Sequence, residues 1–382
     1  MTRRLVILTE IISPYRIPLF NALARHEAVS LHVIFLAETD PSLRQWRVYK
    51  DEIQFSYEVL PSWRRRIGRY NLLLNSGVDR ALHRSSPDII LCGGYNYAAS
   101  WQTLLWARNR RVPLVLWSES NQQDSRRGYA AIEYLKRRFM GACAAFVVPG
   151  ISARSYLRNL RVADEKIFSA PNAIDNDLFA TAANNAKQNA VSRRKDLGLP
   201  ERYFLFVGRL VREKGVFDLL AAYAKLDASL KKQFGLVFAG DGACRQQLKE
   251  QAASITPGTV TFAGFSHREQ LAAIYGLADA LILPTYSDPW GLVVNEAMAC
   301  GLPIIVSQVA GCAADLVKDN WNGFQISPRD VLSLHLAMEN LAVHDEQRET
   351  MAANSLQRIS GYSPETWCAG ILSMMKSLSS NA

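Results

Sequence analysis

Short β-branched runs and longer helical stretches alternate twice along this chain, a pattern that few folds accommodate. In the first half, strands are expected at 4–9, 30–36, 88–92, 113–117 and 144–148, with helices such as 97–109 and 129–141 between them. The alternation restarts at YFLFVG, 203–208, followed by a helix over about 216–228 and strands at 234–239, 259–262, 279–283 and 303–306. Strand–helix–strand repeats build parallel sheets with helices on both faces. Two runs of them predict an α/β chain of two Rossmann-like, doubly wound domains, and 382 residues leave room for both. Such sheets bind ligands beyond the carboxyl ends of their strands, so a cleft between the domains is the expected site.

Between the two runs, residues 180–196 (ATAANNAKQNAVSRRKD) lose almost all large apolar side chains. A segment that cannot bury apolar surface predicts a mobile excursion beside a domain boundary. The opening MTRRLVILTEIISPYR has the look of a signal peptide, but Glu10 interrupts the apolar run, and a first strand is the better reading. No apolar run approaches the roughly 18–20 residues that a bilayer requires. Six scattered cysteines without metal-type spacing predict reduced, buried thiols and a cytoplasmic protein. The net charge of +9 is uneven: residues 1–170 hold 25 Lys and Arg against 14 Asp and Glu, and the remainder is slightly negative. That excess invites nucleic acid, an anionic membrane surface or phosphorylated substrates.

Two segments carry chemistry. In VGRLVREKGVFDLL, 207–220, a strand ends at Gly208 and a loop delivers Arg209 and Lys214 just ahead of a helix. Free N–H groups and the positive helix end favour an anion, and two cations five residues apart can grip separate diphosphate oxygens. By itself the segment fits an ordinary strand–helix loop with solvated charges equally well. In PTYSDPWGLVVNEAMACGLPIIVS, 284–307, Asp288 lies in a loop and Glu296 in the helix that follows, so both can face one cleft. Ionised carboxylates accept strongly from vicinal sugar hydroxyls; the plain alternative is a surface Glu. Gly264 and Phe265 follow a strand and can offer backbone groups to a base. Asp175-Asn176-Asp177 reads as a turn rather than a metal site. The cluster Trp63-Arg64-Arg65-Arg66 with Arg69-Tyr70 reads as a solvated loop or as a contact for a membrane interface or pyrophosphate.

GRL..EKG, the GDG turn at 240–242, G-F…L…Y..AD and the two acids of DPWGLVVNEAMACGLP stand in the order found in family 4 glycosyltransferases, and the chain resembles that family from about 200 to 326. SPYRIPLFNAL, CGGYN and VVPGISARSYL…APNAID extend the likeness upstream. The resemblance implies a GT-B fold: residues 1–175 an acceptor-side domain, 176–200 a linker, 201–362 the nucleotide-sugar domain, and 363–382 a helix packing back on the first domain. It implies that Arg209 and Lys214 bind and stabilise the departing diphosphate, that Glu296 holds the ribose, and that Asp288, where the family usually has Glu, lies by the transferred sugar. Gly208, Gly264, Phe265, Trp290, Gly291 and Leu292 are then expected around the donor. TEIISPYR replaces the family's frequent Gly-Gly pair, which puts Arg16 at the site; Glu119 of LWSES stands near the family's frequent histidine.

The expected function is retaining transfer of a sugar from a nucleoside-diphosphate donor to an acceptor hydroxyl, in polysaccharide or lipid-linked glycan synthesis. No metal or other cofactor is expected. Expected partners are the donor, a glycan or lipid-linked acceptor and an anionic membrane face, without nucleic acid. The alternatives are a sugar-nucleotide 2-epimerase on the same fold and a non-catalytic binder of nucleic acid or anionic surfaces.

Overall fold

The computed structural model describes residues 2–40, 46–67, 70–122 and 130–380. The chain divides into two units, Met1–Ile174 with Pro364–Ala382, and Asp175–Ser363. The first unit contains β1 (Arg3–Thr9), β2 (Val29–Phe35), β3 (Ser56–Val59), β4 (Ser62–Ile67), β5 (Tyr70–Asn75), β6 (Ile89–Cys92), β7 (Leu114–Trp117), β8 (Ala145–Val148) and β9 (Ile167–Ser169). Seven of these form a sheet in the order β3-β2-β1-β6-β7-β8-β9, and its pairings are parallel. The strand order reverses between β1 and β6. That is the switch point, where a parallel sheet leaves a crevice beyond its carboxyl ends.

Two cores flank this sheet because its strands are buried on both faces, as β6, β7 and β8 are along their whole length. One core packs the helices Ile17–Ala24 and Pro364–Ser380 against the sheet, with Trp367 fully buried between Phe20 and Trp117 at ring-centre distances of 5.8 and 5.4 Å. The last helix is therefore built into the first unit. The other core lies under the helices Val78–Ser85, Ala98–Arg110, Ala130–Gly141 and Ile151–Asn159. The expected loop around Trp63 is instead an antiparallel hairpin of β4 and β5, with Trp63 opposite Leu74 and Arg65 opposite Leu72. Its inward residue Leu73 packs into the second core. Arg69 and the side chains of Arg66 and Tyr70 lie outside the described residues.

The second unit repeats the plan with β10 (Arg202–Val207), β11 (Phe234–Ala239), β12 (Val260–Gly264), β13 (Ala280–Leu283), β14 (Ile304–Ser307) and β15 (Gly323–Ile326). Their order is β12-β11-β10-β13-β14-β15, again parallel, with the reversal between β10 and β13.

Residues 176–197, expected as linker and mobile excursion, are two helices of this unit, Asn176–Gln188 and Ala190–Leu197. Asp175 caps the first, its carboxylate accepting from the Leu178 N–H at 3.0 Å, a cap that stabilises by about 1 kcal/mol. Phe179, Ala183 and Ala186 form its buried stripe. At Gly276 of the helix Arg268–Gly276, a Cβ would lie 2.7 Å from the Ala183 Cα, so the two helices meet backbone to backbone. Small residues do this packing, which is why the segment lacks the large apolar signature of a helix.

Candidate functional site

At the switch point of the second unit, the loop after β10 meets the loop after β13. The Glu213 carbonyl accepts from the Tyr286 N–H at 2.8 Å and from the Thr285 hydroxyl at 3.2 Å. Gly215 is the hinge of this contact: its φ is +69°, and a Cβ there would sit 2.0 Å from the Pro284 carbonyl oxygen. The helix Val216–Ala224 begins at the next residue, so its free N–H groups open where the two loops touch. The GDG turn after β11 presses in from the other side. A Cβ on Gly240, with φ of +140°, would come within 2.0 Å of the Gly208 carbonyl oxygen.

The two cations expected here are in unlike states. Arg209 is exposed, and no described residue hydrogen-bonds to or pairs with its guanidinium. Lys214 is mostly buried, and its Nζ donates to the Asp288 carboxylate at 2.6 Å and to the Ser287 carbonyl at 3.5 Å. The Trp290 N–H donates to the other oxygen of Asp288 at 3.2 Å. Beside them the Tyr286 phenol donates to Asp218 at 2.8 Å; burial and that carboxylate push it up to about 12.

Glu296 lies in the helix Leu292–Ala299 and accepts from the Tyr275 phenol at 2.8 Å. Burial raises its carboxyl to about 7, against the opposing pull of that hydrogen bond. Glu296 is half-buried by accessible surface, so water on its open side works against part of the rise. Tyr275 is fully buried, and burial together with the Glu296 charge keeps its phenol protonated. The sequence motif contains Tyr275 without assigning it a role; its place 21 residues before Glu296, in a separate helix, hides the pairing.

The other expected donor residues divide by what their atoms already do. The Gly208 N–H donates to Ala239, and the Gly264 carbonyl accepts from Gly240 at 2.7 Å. Phe265 is 41% exposed and stands edge-on to His267. Gly291 precedes the helix and accepts from Val294, and Leu292 is half-buried. Trp290 is buried, with its indole N–H donating to Asn295 at 2.9 Å, which ties the loop to the helix that follows.

Arg16 and Glu119 belong to the first unit and meet there. Arg16 donates to Thr9 at 2.9 Å and to Glu119 at 3.3 Å, and its guanidinium lies 4.3 Å from the Trp117 ring centre. Nearby, Arg64 pairs with the buried Asp40 and, at 3.5 Å, with Glu10. Glu10 also takes the Tyr97 phenol, which burial and this carboxylate hold above its ordinary range. Among the described residues no group of histidines, cysteines and acids is arranged to hold a metal ion.

A family model described as Glycosyl transferases group 1 matches residues 188–358, and one described as Glycosyltransferase Family 4 matches 19–178. An uncharacterised glycosyltransferase of Methanocaldococcus jannaschii is 29% identical over 187 residues, 48% of this chain and 47% of that protein. Alpha-D-kanosaminyltransferase of Streptomyces kanamyceticus is 27% identical over 268 residues, 68% of each chain. The chain spans about half the length of most of the curated relatives it matches. Among solved structures, Anabaena HepE in complex with UDP and glucose superposes with a TM-score of 0.73 at 17% identity, over 98% of this chain and 99% of that one. That likeness is one of fold, and the fold is GT-B.

Proposed function

The chain belongs to the glycosyltransferases of group 1 and family 4, and from that premise we propose that it transfers a sugar from a nucleoside-diphosphate donor to an acceptor hydroxyl. The observation that carries this reading is the unpartnered Arg209, in the same loop as Lys214 and ahead of the first turn of a helix at the switch point of the second unit. An exposed cation, a second cation and free N–H groups together form a receptor for a diphosphate. As the bond to the sugar breaks, negative charge grows on the diphosphate, and fixed positive groups there lower the barrier. Arg209, Lys214 and the helix end supply that charge from the chain itself, which supports transfer without a resident metal. Glu296 would accept from the ribose hydroxyls and Asp288 would lie beside the sugar.

Retention at the anomeric carbon follows from the family reading. The UDP and glucose bound by HepE support a nucleotide-sugar donor here. The acceptor we propose is a growing polysaccharide or lipid-linked glycan, in keeping with the basic first half. Incubation of the chain with a panel of nucleotide sugars and glycan acceptors tests the reading. Acceptor-dependent release of nucleoside diphosphate is expected; epimerised sugar formed without acceptor would replace transfer by 2-epimerisation.

A further inference from the structure

The first unit wears its surface unevenly. The helices that cover one face of its sheet, Ile17–Ala24 and Pro364–Ser380, carry one acid and one base between them, Glu365 and Lys376. The layer over the other face is basic: Arg80 and Arg84 on one helix, Arg108 and Arg110 on the next, Arg137 and Arg138 on the third, against Asp79 on the first and Glu133 on the third, with Arg84 paired to Glu58.

Apolar exposure follows the same division. Among the described residues of this unit, the exposed large hydrophobic side chains are Trp63, Leu72 and Leu74 of the hairpin, Leu105, Tyr134 with Leu135, and Ile151. Every one lies on the basic layer. Trp63 is 52% exposed, Leu105 61% and Tyr134 63%. The elements that carry them pack on one core: Trp101 of one helix meets Phe139 of the next at 5.1 Å, and Leu73 of the hairpin enters the same core as Leu104 and Phe139. Two grooves open on this layer. One, of about 590 Å³, is edged by Arg80 and Arg110; the other, of about 700 Å³, by Arg137, Arg161 and Lys166 over a floor that includes Met140 and Phe146.

Scattered exposed leucines are ordinary. Their confinement to the one strongly basic layer, together with Trp and Tyr, is what calls for a ligand. We propose that this layer is a docking face for an anionic phospholipid bilayer: Trp63, Leu105, Tyr134 and Leu135 enter the headgroup region, and the arginines beside them meet lipid phosphates. The charge is complementary to such a membrane, and arginine can lay its stem along apolar surface while its head reaches phosphate. Tryptophan and tyrosine settle at the same depth. Among the described residues no helix is long and apolar enough to cross a membrane, so the contact is peripheral. Nucleic acid would use the arginines equally well but would gain nothing from Leu105 and Leu135.

Flotation of the full chain with phosphatidylcholine vesicles, with and without phosphatidylglycerol, tests this. Binding only to the phosphatidylglycerol vesicles is expected. Leu105→Ser with Leu135→Ser should weaken it about tenfold, since each exposed leucine loses part of its transfer energy. Arg108→Gln should weaken it roughly fivefold. Thermal unfolding and nucleoside-diphosphate binding serve as controls and should match the unaltered chain, so failure of the docking face is read apart from failure of the transfer reading. Absence of flotation with anionic vesicles overturns the proposal. So does full binding by the leucine variant, which would mark a purely ionic surface of the kind a nucleic acid uses.

Discussion

The two units share one topology and furnish its switch point in opposite ways. In the second, backbone does the construction: Gly215 against Pro284 and Gly240 against Gly208 draw three loops together and leave Arg209 unpartnered. In the first, side chains do it. Arg16 is committed to Thr9, Glu119 and the Trp117 ring, and Arg64 to Asp40 and Glu10. An arginine with no partner at rest gains a full set of charge-assisted hydrogen bonds when an anion arrives. One already paired must first give up what it has. The contrast lies between the two arginines, since Lys214 of the second unit is itself paired with Asp288: a parallel sheet supplies a place for ligands, and on the proposed reading the unpartnered Arg209 is what readies the second unit for a diphosphate.

The widest separation between the units is expected in turnover. Arg209→Ala should lower kcat/KM by roughly 10²–10³ with an unchanged melting temperature, because no described residue hydrogen-bonds to or pairs with the side chain. Arg16→Ala should do the reverse, costing about 1–2 kcal/mol of stability as Glu119 and Trp117 lose their partner. Equal loss of turnover in both variants would erase the contrast.

Next in size is the backbone contact. Gly240→Val should destabilise by more than about 2 kcal/mol in a thermal melt, since neither the positive φ nor the Gly208 carbonyl can accommodate a side chain. A wild-type melt would show that close approach is not what builds this rim.

Glu296→Gln should weaken binding of a nucleotide sugar about tenfold at alkaline pH. In the unaltered chain, affinity should climb as pH rises through about 7, where this carboxyl ionises, and the variant should show no such climb. The sign for stability is opposite. Because burial raises the carboxyl above its unfolded value, folding loses support as pH rises from about 4.5 to about 7 and stays lower above that. The variant's melting temperature should therefore gain on the unaltered chain across that interval, and a constant difference would contradict the burial. The smallest effect is at Asp288→Asn. Freeing Lys214 from its ion pair should tighten nucleoside-diphosphate binding a few-fold while sugar transfer falls; weaker binding would show that the pair is required to hold the diphosphate.

Much of this was legible in the sequence where large residues mark the pattern. YFLFVG and ALIL announce buried parallel strands, and GRL..EKG marks a loop that brings Arg209 and Lys214 ahead of a helix. What escaped did so for physical reasons. The helix Asn176–Gln188 packs through Ala183 and Gly276, and small residues leave little trace in an apolar pattern. The hairpin around Trp63 exposes Trp63, Leu72 and Leu74 on one face, so its alternation reads as neither core nor solvent. The pairing of Tyr275 with Glu296 joins different helices, and only the tertiary fold brings those atoms to 2.8 Å. The same holds for Lys214 and Asp288: each was legible as a charged loop residue, but their mutual neutralisation was not.

The central claim is that Arg209 grips a diphosphate while Arg16 serves the architecture of its own unit. Calorimetric titration of the full chain with a panel of nucleoside diphosphates tests it most directly. Binding by the unaltered chain is predicted, with Arg209→Ala at least about tenfold weaker and Arg16→Ala the same as the unaltered chain. Equal affinity in all three, or a loss confined to Arg16→Ala, would contradict it.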